Sequence, residues 1–315
     1  MKAEYLIDNL KELEKKEGIT LVCCFSRKFF VPIFFKALAE MDLPRKDIHL
    51  LVYDNTHDGG LQKALEEALQ NVTECYKSVR LYKSNLLPRW RVAGQGVLKF
   101  SDSKVSNIWK MWKQLKKLIH TPTFFQLEDD TIAPPHAFKY LTSILTAKPK
   151  AAYVTGISTG RHVIATHPVK LGVYHLKMAP CKNCFKVLER RALHPDTKGV
   201  VPVDASGVYC FAARTDRFFS GFKGFNPDKL NFPYFFLDVL FTWNMKRQGH
   251  EIYADFDVWV SHLHAAGSRL NAFSKDQAVE KADLWLPEYD NYAIGIEVNP
   301  DDRKRELKPA ESWEI

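Results

Sequence analysis

Short apolar runs alternate with amphipathic segments along the first half of the chain. The runs are rich in β-branched and aromatic residues, which is typical of buried strands. They predict strands at 19–25, 47–54, 78–83 and 123–127. Apolar residues at helical spacing predict helices around 29–38, 61–69 and 104–119. This alternation predicts an α/β fold, in which a mixed, mostly parallel central sheet is flanked by helices.

The second half of the chain is less regular. It predicts strands at 151–156 and 208–213, a helix at 235–246 and a final strand at 251–260. Residues 148–202 are rich in proline, histidine and lysine, and we expect them to form loops over the sheet. Residues 1–18 have the pattern of a charged amphipathic helix.

The composition places the chain among globular proteins. Its 315 residues are 46% hydrophobic and 26% charged, which excludes intrinsic disorder and low-complexity classes. The net charge of +8 indicates an acidic partner such as a nucleotide, a nucleic acid or an anionic membrane. No apolar run is long enough to span a bilayer, and the charged N-terminus lacks the features of a signal peptide. We therefore expect a cytoplasmic protein (in the host cytoplasm if the chain is viral).

The cysteines leave one metal site open as an alternative. Six cysteines are too few for a disulfide scaffold in a chain of this length. Cys181 and Cys184 form a CxxC pair flanked by His175 and His194, which are the residue types of a zinc site. The spacing matches no common zinc finger, and ordinary loop thiols are the other interpretation of this pair.

Three consecutive acids, Glu128, Asp129 and Asp130, follow the strand predicted at 123–127. Clustered carboxylates repel one another unless hydrogen bonds or a cation stabilise them. Oxygen ligands at this position suit Mg²⁺ or Mn²⁺, which proteins often hold together with substrate phosphates. Open α/β sheets bind ligands at the carboxyl ends of their strands, where this triplet falls. A solvated turn is the alternative interpretation.

Four further residues carry candidate chemistry. Asp54 ends the second strand, where a carboxylate can hydrogen-bond a ribose or a base, although Asp-Asn also begins turns. Asp238 lies in an aromatic and aliphatic run, where poor solvation suits a general base, with a helix cap as the alternative. His262 and His264 lie two positions apart at a strand end and point the same way. They could supply one metal ligand and one substrate contact.

Five motifs occur in order along the chain: ITLVCCFSR, HLLVYDNTHDGG, FFQLEDDTIAPP, FFLDVLFTWNMKRQGHEIY and DVWVSHLH. This ordered set resembles that of the GT-A glycosyltransferases, in particular the family-2-like inverting enzymes that use nucleotide-sugar donors. The resemblance covers residues 19–265 and implies a single Rossmann-like GT-A domain over 1–269. Its nucleotide-sugar half would lie at 19–135 and its acceptor half at 150–265, followed by a C-terminal extension at 270–315.

The resemblance also implies how the chain holds its donor, with a UDP-sugar favoured. Glu128 and Asp129 would contact the sugar and the ribose, and Asp54 would contact the base or the ribose. Ser26 and Arg27, in the loop after the first strand, would line the same nucleotide site.

The remaining implied roles concern the metal and the reaction. Asp130, the last acid of the triplet, would bind Mn²⁺ or Mg²⁺. His262 best matches the late histidine of the family and would be a further metal ligand, with His264 as the second choice. Asp238 would remove the proton from the acceptor hydroxyl as that hydroxyl attacks the anomeric carbon.

The acceptor is open, and DNA is one candidate. The net charge of +8 and the lysine-rich helix at 104–119 permit a DNA acceptor, and some viral glycosyltransferases modify hydroxymethylated bases. Two other functions compete with this one. A nucleotidyltransferase would use the same carboxylates and metal, and a non-catalytic nucleic-acid-binding protein would account for the basic charge but not for the acids.

Overall fold

The computed structural model describes residues 4–10, 16–56, 59–84, 86, 102–158, 171–178, 187–223, 237–266, 269–273 and 286–287. The strands within these residues are β1 Glu4–Asp8, β2 Ile19–Phe25, β3 Ile48–Asp54, β4 Ser78–Lys83, β5 Thr123–Glu128, β6 Thr131–Ile132, β7 Ala151–Ser158, β8 Val173–Met178, β9 Val187–Ala192, β10 Val200–Pro202, β11 Ala205–Ser206, β12 Cys210–Arg214, β13 Glu251–Ala266, β14 Arg269–Phe273 and β15 Leu286–Pro287. The α-helices are α1 Val31–Glu40, α2 Gly59–Gln70, α3 Asp102–Leu118, α4 Ala137–Ala147, α5 Thr215–Ser220 and α6 Leu237–Arg247.

A large mixed sheet runs through the described part of the chain in the order β1-β4-β3-β2-β5-β12-β7-β13-β10. Its block β4-β3-β2-β5 is parallel throughout. β12 lies antiparallel between β5 and β7, and β13 pairs with β7 in parallel. This sheet, with helices on both faces, confirms the predicted α/β class.

Two apolar cores lie on the two faces of this sheet. Helices α3, α5 and α6 cover one face, and α1, α2 and α4 cover the other. Side chains of β3 alternate between them, because Leu51 and Tyr53 join the first core while Leu50 and Val52 join the second. A strand that is covered on both faces has no polar side, which explains the continuous apolar runs in the sequence.

The long helix α3 packs against the sheet through its tryptophans and is hydrogen-bonded to it at its C-terminus. Trp109, Trp112 and Leu115 are buried on the sheet-facing side. At its end, the Leu118 carbonyl accepts a hydrogen bond of 2.8 Å from Nη1 of Arg80, a buried residue of β4. Helix C-terminal carbonyls lack partners within the helix and carry partial negative charge, so a buried arginine satisfies them well.

Three sequence-based expectations about secondary structure are wrong. The N-terminal segment is not helical at 4–8 but forms β1, which pairs antiparallel with the edge of β4. Where we expected loops over 148–202, the described residues include β8 and β9, which form a hairpin within a second sheet of order β11-β8-β9-β15. The strand predicted at 251–260 continues to Ala266 and is not the last, since β14 folds back on it.

Each of these errors has a physical cause. β1 is stabilised by backbone pairing with a strand that is distant in sequence, which local periodicity does not report. In β8, Tyr174 and Leu176 pack on the core while His175 and Lys177, which follow them, are polar, a short alternation among basic residues. Among the described helices, none has the length and apolar character needed to cross a membrane.

Candidate active site

The candidate site lies where the parallel strands β2, β3 and β5 end side by side. Phe25, the last residue of β2, is in register with Asp54, the last residue of β3. Cys24 of β2 is in register with Glu128 of β5 on its other side. Ser26 and Arg27 therefore leave the sheet directly beside the acids that follow β5. The structure brings these predicted residues together at one edge, as expected for an open α/β sheet.

Asp129 is held by the loop that follows β2. Its Oδ2 accepts hydrogen bonds from the backbone N–H of Ser26 at 2.8 Å, from the Ser26 hydroxyl at 3.1 Å and from the backbone N–H of Arg27 at 3.1 Å. Burial raises the pKa of Asp129 and the Asp130 charge adds to this, while Arg27 opposes it. The side chain therefore fixes the position of the loop and keeps one oxygen, Oδ1, directed towards the Arg27 guanidinium.

Arg27 bridges the last two acids of the triplet. Its Nη2 lies 2.8 Å from Oδ1 of Asp129 and 2.6 Å from Oδ2 of Asp130, which is fully buried. The guanidinium also stacks over the ring of Phe30, with 4.5 Å between its Cζ and the ring centroid. A positive group thus already lies between two buried carboxylates, as their electrostatics requires.

Glu128, the first acid of the triplet, is less enclosed than the other two. It is half-buried, and its backbone N–H donates to the Tyr209 carbonyl at 3.0 Å. Burial raises the pKa of the Cys24 thiol, and the charges of Glu128 and Asp129 add to this. Burial and the two nearby negative charges therefore disfavour the thiolate form of Cys24.

Asp54 is engaged by its own surroundings. Its Oδ2 lies 2.5 Å from Nζ of Lys83, and both side chains are almost completely buried. Its Oδ1 accepts hydrogen bonds of 2.8 Å from both the backbone N–H and the hydroxyl of Thr56. Lys83 thus compensates the charge of Asp54, and Thr56 orients its carboxylate. Contact of Asp54 with a nucleotide stays a prediction.

Lys83 was missed by reasoning from the sequence. It ends β4 in register with Asp54, because adjacent parallel strands end at the same level of the sheet. The sequence contained an indication of this pair, since the run SVRLYK ends with a lysine and the preceding strand run ends with an aspartate. Opposite charges at the ends of two neighbouring predicted strands would have indicated the pair.

Asp238 lies in the first turn of α6. Its Oδ2 would be 3.7 Å from a Cβ atom built on Gly207, so the carboxylate adjoins the segment between β11 and β12. The Gly207 carbonyl accepts a 2.5 Å hydrogen bond from the Tyr153 hydroxyl, which fixes that segment to the sheet. The side chain is half-buried, so the poor solvation expected from the apolar residues around it in the sequence is only partial.

The two histidines of β13 occupy different positions relative to the acids. His262 is in register with Thr131, the residue that follows Asp130, through the antiparallel pair of β13 and β6. His264 is in register with Asn271 of β14, further from the triplet. The backbone thus brings His262 next to the acids, while the side chains of both histidines lie outside the described residues. β6 has only two residues, and no sequence pattern indicated it.

The residues present fit a divalent cation. Asp129 and Asp130 supply carboxylate oxygens, and the Arg27 guanidinium stands in for a cation between them. The adjacent Thr131 hydroxyl is buried and has no hydrogen-bond partner within the described part of the chain. Across that same part, no three His, Cys, Asp or Glu side chains surround one point. Two carboxylates completed by substrate phosphates are a common arrangement for Mg²⁺.

The alternative zinc site falls outside what the structure describes. Cys181 and Cys184 lie beyond the described residues, so their role stays a prediction. The flanking histidines contact carboxylates, because Nδ1 of His175 lies 3.4 Å from Asp204 and Nδ1 of His194 lies 3.6 Å from Asp196.

Comparison with solved structures identifies the fold. No protein-family model matches the chain, and no curated protein matches it in sequence. Among solved structures, GalNAc-T7 with UDP, GalNAc and Mn²⁺ matches with a TM-score of 0.53 at 12% identity, over 80% of this chain and 44% of that one. The mannosyltransferase PcManGT from Pyrobaculum calidifontis, in complex with GDP-Man and Mn²⁺, matches with a TM-score of 0.35 at 12% identity, over 45% of this chain and 36% of that one.

The chain has the GT-A fold, which the likeness to GalNAc-T7 shows and which confirms the expectation from the sequence. The chain spans less than half the length of both solved structures.

Proposed function

We propose that the protein is a metal-dependent glycosyltransferase that moves a sugar from a nucleotide-sugar donor to an acceptor hydroxyl. One observation carries this proposal. On a GT-A sheet, Asp129 and Asp130 lie buried side by side at the end of β5 and against the loop after β2. That is where an open α/β sheet receives a nucleotide, and a carboxylate pair there suits a metal that holds a diphosphate.

The donor half of the site would work through the residues that surround Asp129. Asp129 fixes the Ser26–Arg27 loop, so that the Ser26 hydroxyl and the Arg27 guanidinium line the nucleotide site. Asp130 would hold Mn²⁺ or Mg²⁺, with the backbone position of His262 supporting its role as a further ligand. When bound, the metal would neutralise the charge of the diphosphate leaving group. A UDP-sugar is the favoured donor, and the GalNAc-T7 structure that shares this fold holds UDP.

Asp238 would act as the general base on the acceptor side. Its partly exposed carboxylate would accept the acceptor hydroxyl proton, while the oxygen attacks the anomeric carbon from the face opposite the diphosphate. That geometry inverts the configuration at the anomeric carbon. The proposal divides the domain into a donor half at 19–135 and an acceptor half at 150–265.

A modified base in DNA is our proposed acceptor. The support is the outer side of α3, where four lysines are exposed: Lys110, Lys113, Lys116 and Lys117. An exposed basic helix suits a phosphate backbone, and a base in a duplex would have to be flipped out to react. Action in the cytoplasm is part of the same proposal.

The first test is nucleotide- and metal-dependent stabilisation. We expect one of UDP, GDP, CDP and dTDP to raise the melting temperature only when Mn²⁺ is present, because a bound ligand stabilises the folded state. Asp130→Asn should remove this shift. Asp196→Asn, which removes an exposed carboxylate elsewhere, should keep it. No shift with any nucleotide at millimolar concentration, in a protein that melts cooperatively, would contradict the proposed donor site.

A further inference from the structure

Arg27 lies between Asp129 and Asp130, the second of which would hold the metal in the proposed function. A single nitrogen, Nη2, makes both contacts, at 2.8 Å to Asp129 and 2.6 Å to Asp130. The two acids are 4% and 0% exposed, so neither charge is screened by water. Two uncompensated charges at such depth would be strongly unfavourable, and the arginine compensates both.

We propose that Arg27 is an exchangeable counter-ion, which occupies the metal position in the ligand-free protein and moves to the donor diphosphate when the metal binds. This inference rests on the proposed function and adds a consequence to it. Metal and nucleotide bind cooperatively, because the metal displaces the guanidinium from the acids and the diphosphate gives the displaced guanidinium a new partner.

The displacement follows from electrostatics. A divalent cation on Asp130 would lie within a few ångströms of the Nη2 that now contacts the same carboxylate, where repulsion between positive charges is strong. Because one nitrogen makes both ion pairs, a small movement breaks both together. Metal alone must therefore displace the arginine without giving it a new partner, and its affinity for the ligand-free protein is low.

The structure supports movement of the side chain without movement of the loop. The Arg27 backbone N–H is held by Oδ2 of Asp129, and Phe30 below the guanidinium is buried. The Arg27 side chain as a whole is 33% exposed, and its guanidinium lies over the face of that ring, across which it can move. A guanidinium binds phosphate through paired hydrogen bonds, so a diphosphate in the site offers it a partner equivalent to the carboxylates.

The test measures Mn²⁺ binding directly, by the electron paramagnetic resonance signal of free Mn²⁺, with and without saturating UDP or GDP. We expect wild-type protein to bind Mn²⁺ more tightly when the nucleotide is present. Arg27→Met should bind Mn²⁺ alone about tenfold more tightly than wild type, since one charge-assisted competitor is gone. It should also lose most of the enhancement by nucleotide.

Two further variants control for net charge and for folding. Lys28→Met removes the neighbouring positive charge, which is exposed and in neither ion pair, and should bind Mn²⁺ as wild type does. Arg27→Lys keeps a positive charge for the buried acids but lacks the planar fork. It should bind Mn²⁺ alone with an affinity between those of wild type and Arg27→Met, and this comparison decides the matter if Arg27→Met does not fold.

The outcomes separate this inference from the proposed function. If wild type binds Mn²⁺ and nucleotide, but neither Arg27 variant that folds binds Mn²⁺ alone more tightly, the exchange is wrong and the glycosyltransferase proposal stands. If wild type binds no Mn²⁺ even with every nucleotide present, the metal-dependent donor site fails, and the exchange fails with it.

Discussion

At the scale of single residues, the site consists of charges that neutralise one another within the protein. Arg27 forms ion pairs with Asp129 and Asp130, and Lys83 forms an ion pair with Asp54. The acids are buried where a lone charge would be costly, so removal of either basic partner would destabilise the fold as well as affect the proposed chemistry. A loss of activity on substitution therefore does not by itself identify a catalytic role, and stability has to be measured beside it.

The Asp54–Lys83 pair gives a prediction about stability. Lys83→Met should destabilise the fold by about 3 kcal/mol or more, because it leaves the Asp54 charge buried without its partner. The double variant Asp54→Asn with Lys83→Met should regain most of that loss, since no buried charge remains. Denaturant unfolding of both single variants and the double variant measures the coupling. Strictly additive effects would show that the two groups do not interact.

Once the double variant is folded, it also tests whether Asp54 contacts the nucleotide. If the predicted contact with the base or ribose is made, the folded double variant should lose nucleotide affinity although its stability is restored. If Asp54 contacts only Lys83 and Thr56 and not the nucleotide, the double variant should bind nucleotide as wild type does.

For Asp238, we expect loss of transfer without loss of donor binding. Asp238→Asn should reduce sugar transfer by a factor of about 10² to 10⁴, the usual contribution of a general base, while UDP with Mn²⁺ still stabilises the protein. Asp216→Asn is a matched control, because Asp216 is an exposed acid in the first turn of α5. Parallel loss of transfer and of donor binding in Asp238→Asn would indicate a structural role.

At the scale of elements, the segment between β11 and β12 positions α6 and the acid at its start. Gly207 has no side chain, and the ring of Tyr209 fills the space beside it. The Tyr209 hydroxyl donates to the Gly156 carbonyl and accepts from the Ser158 N–H, both at 3.1 Å. The ring is therefore anchored at its far end and has little freedom to retreat. Close packing of this kind couples the sheet to α6.

This packing predicts that Gly207→Ala is destabilising. The added Cβ would lie 2.8 Å from Cε1 of Tyr209, so the anchored ring or the segment must shift. Forced overpacking of a core commonly costs about 1–3 kcal/mol. Gly59→Ala, in the first turn of α2 with no atom within 4 Å of the added Cβ, should be neutral or slightly stabilising. Thermal unfolding measures both, and equal stability of the two variants would contradict the packing argument.

At the scale of the whole molecule, the sequence predicts what local periodicity encodes. The strands β2, β3, β4 and β5 read as apolar runs because both sheet faces are covered, and their ends located Asp54 and the triplet. Long-range pairing is different. β1, β6 and β14 are short strands that form against other segments of the chain, and nothing in their own residues distinguishes them from loops or helix.

The candidate site divides along the same line. The acids and the loop after β2 were predicted because each follows a recognisable strand. The Asp54–Lys83 pair was not predicted because the lysine that ends β4 was not considered together with the aspartate that ends β3. The Arg27 ion pairs were not predicted because they depend on the pairing of β2 with β5, which are far apart in sequence. The packing of Asp238 against Gly207 likewise depends on two segments that no local pattern relates.

The distribution of charge over the two sheet faces gives the last prediction. Three of the four exposed lysines described on α3, namely Lys110, Lys113 and Lys117, lie on the helix layer that also holds α6 and Asp238. Exposed lysines of α1, α2 and α4, namely Lys36, Lys63 and Lys139, lie on the opposite layer. If duplex DNA is the acceptor, its backbone should approach the first set, because the reacting base must reach Asp238 on that side.

Replacing these three lysines of α3 by glutamine should weaken duplex binding. It should also make the fall of log affinity with log salt less steep by up to about 3 units of slope, about one for each lysine–phosphate contact that is lost. The triple glutamine variant of the opposite layer removes the same charge and should leave the slope unchanged. Fluorescence anisotropy over a salt series measures both. Equal decreases of affinity and of salt dependence in the two variants would show that DNA is attracted by net charge alone. Binding whose affinity does not change with salt would contradict DNA as the acceptor.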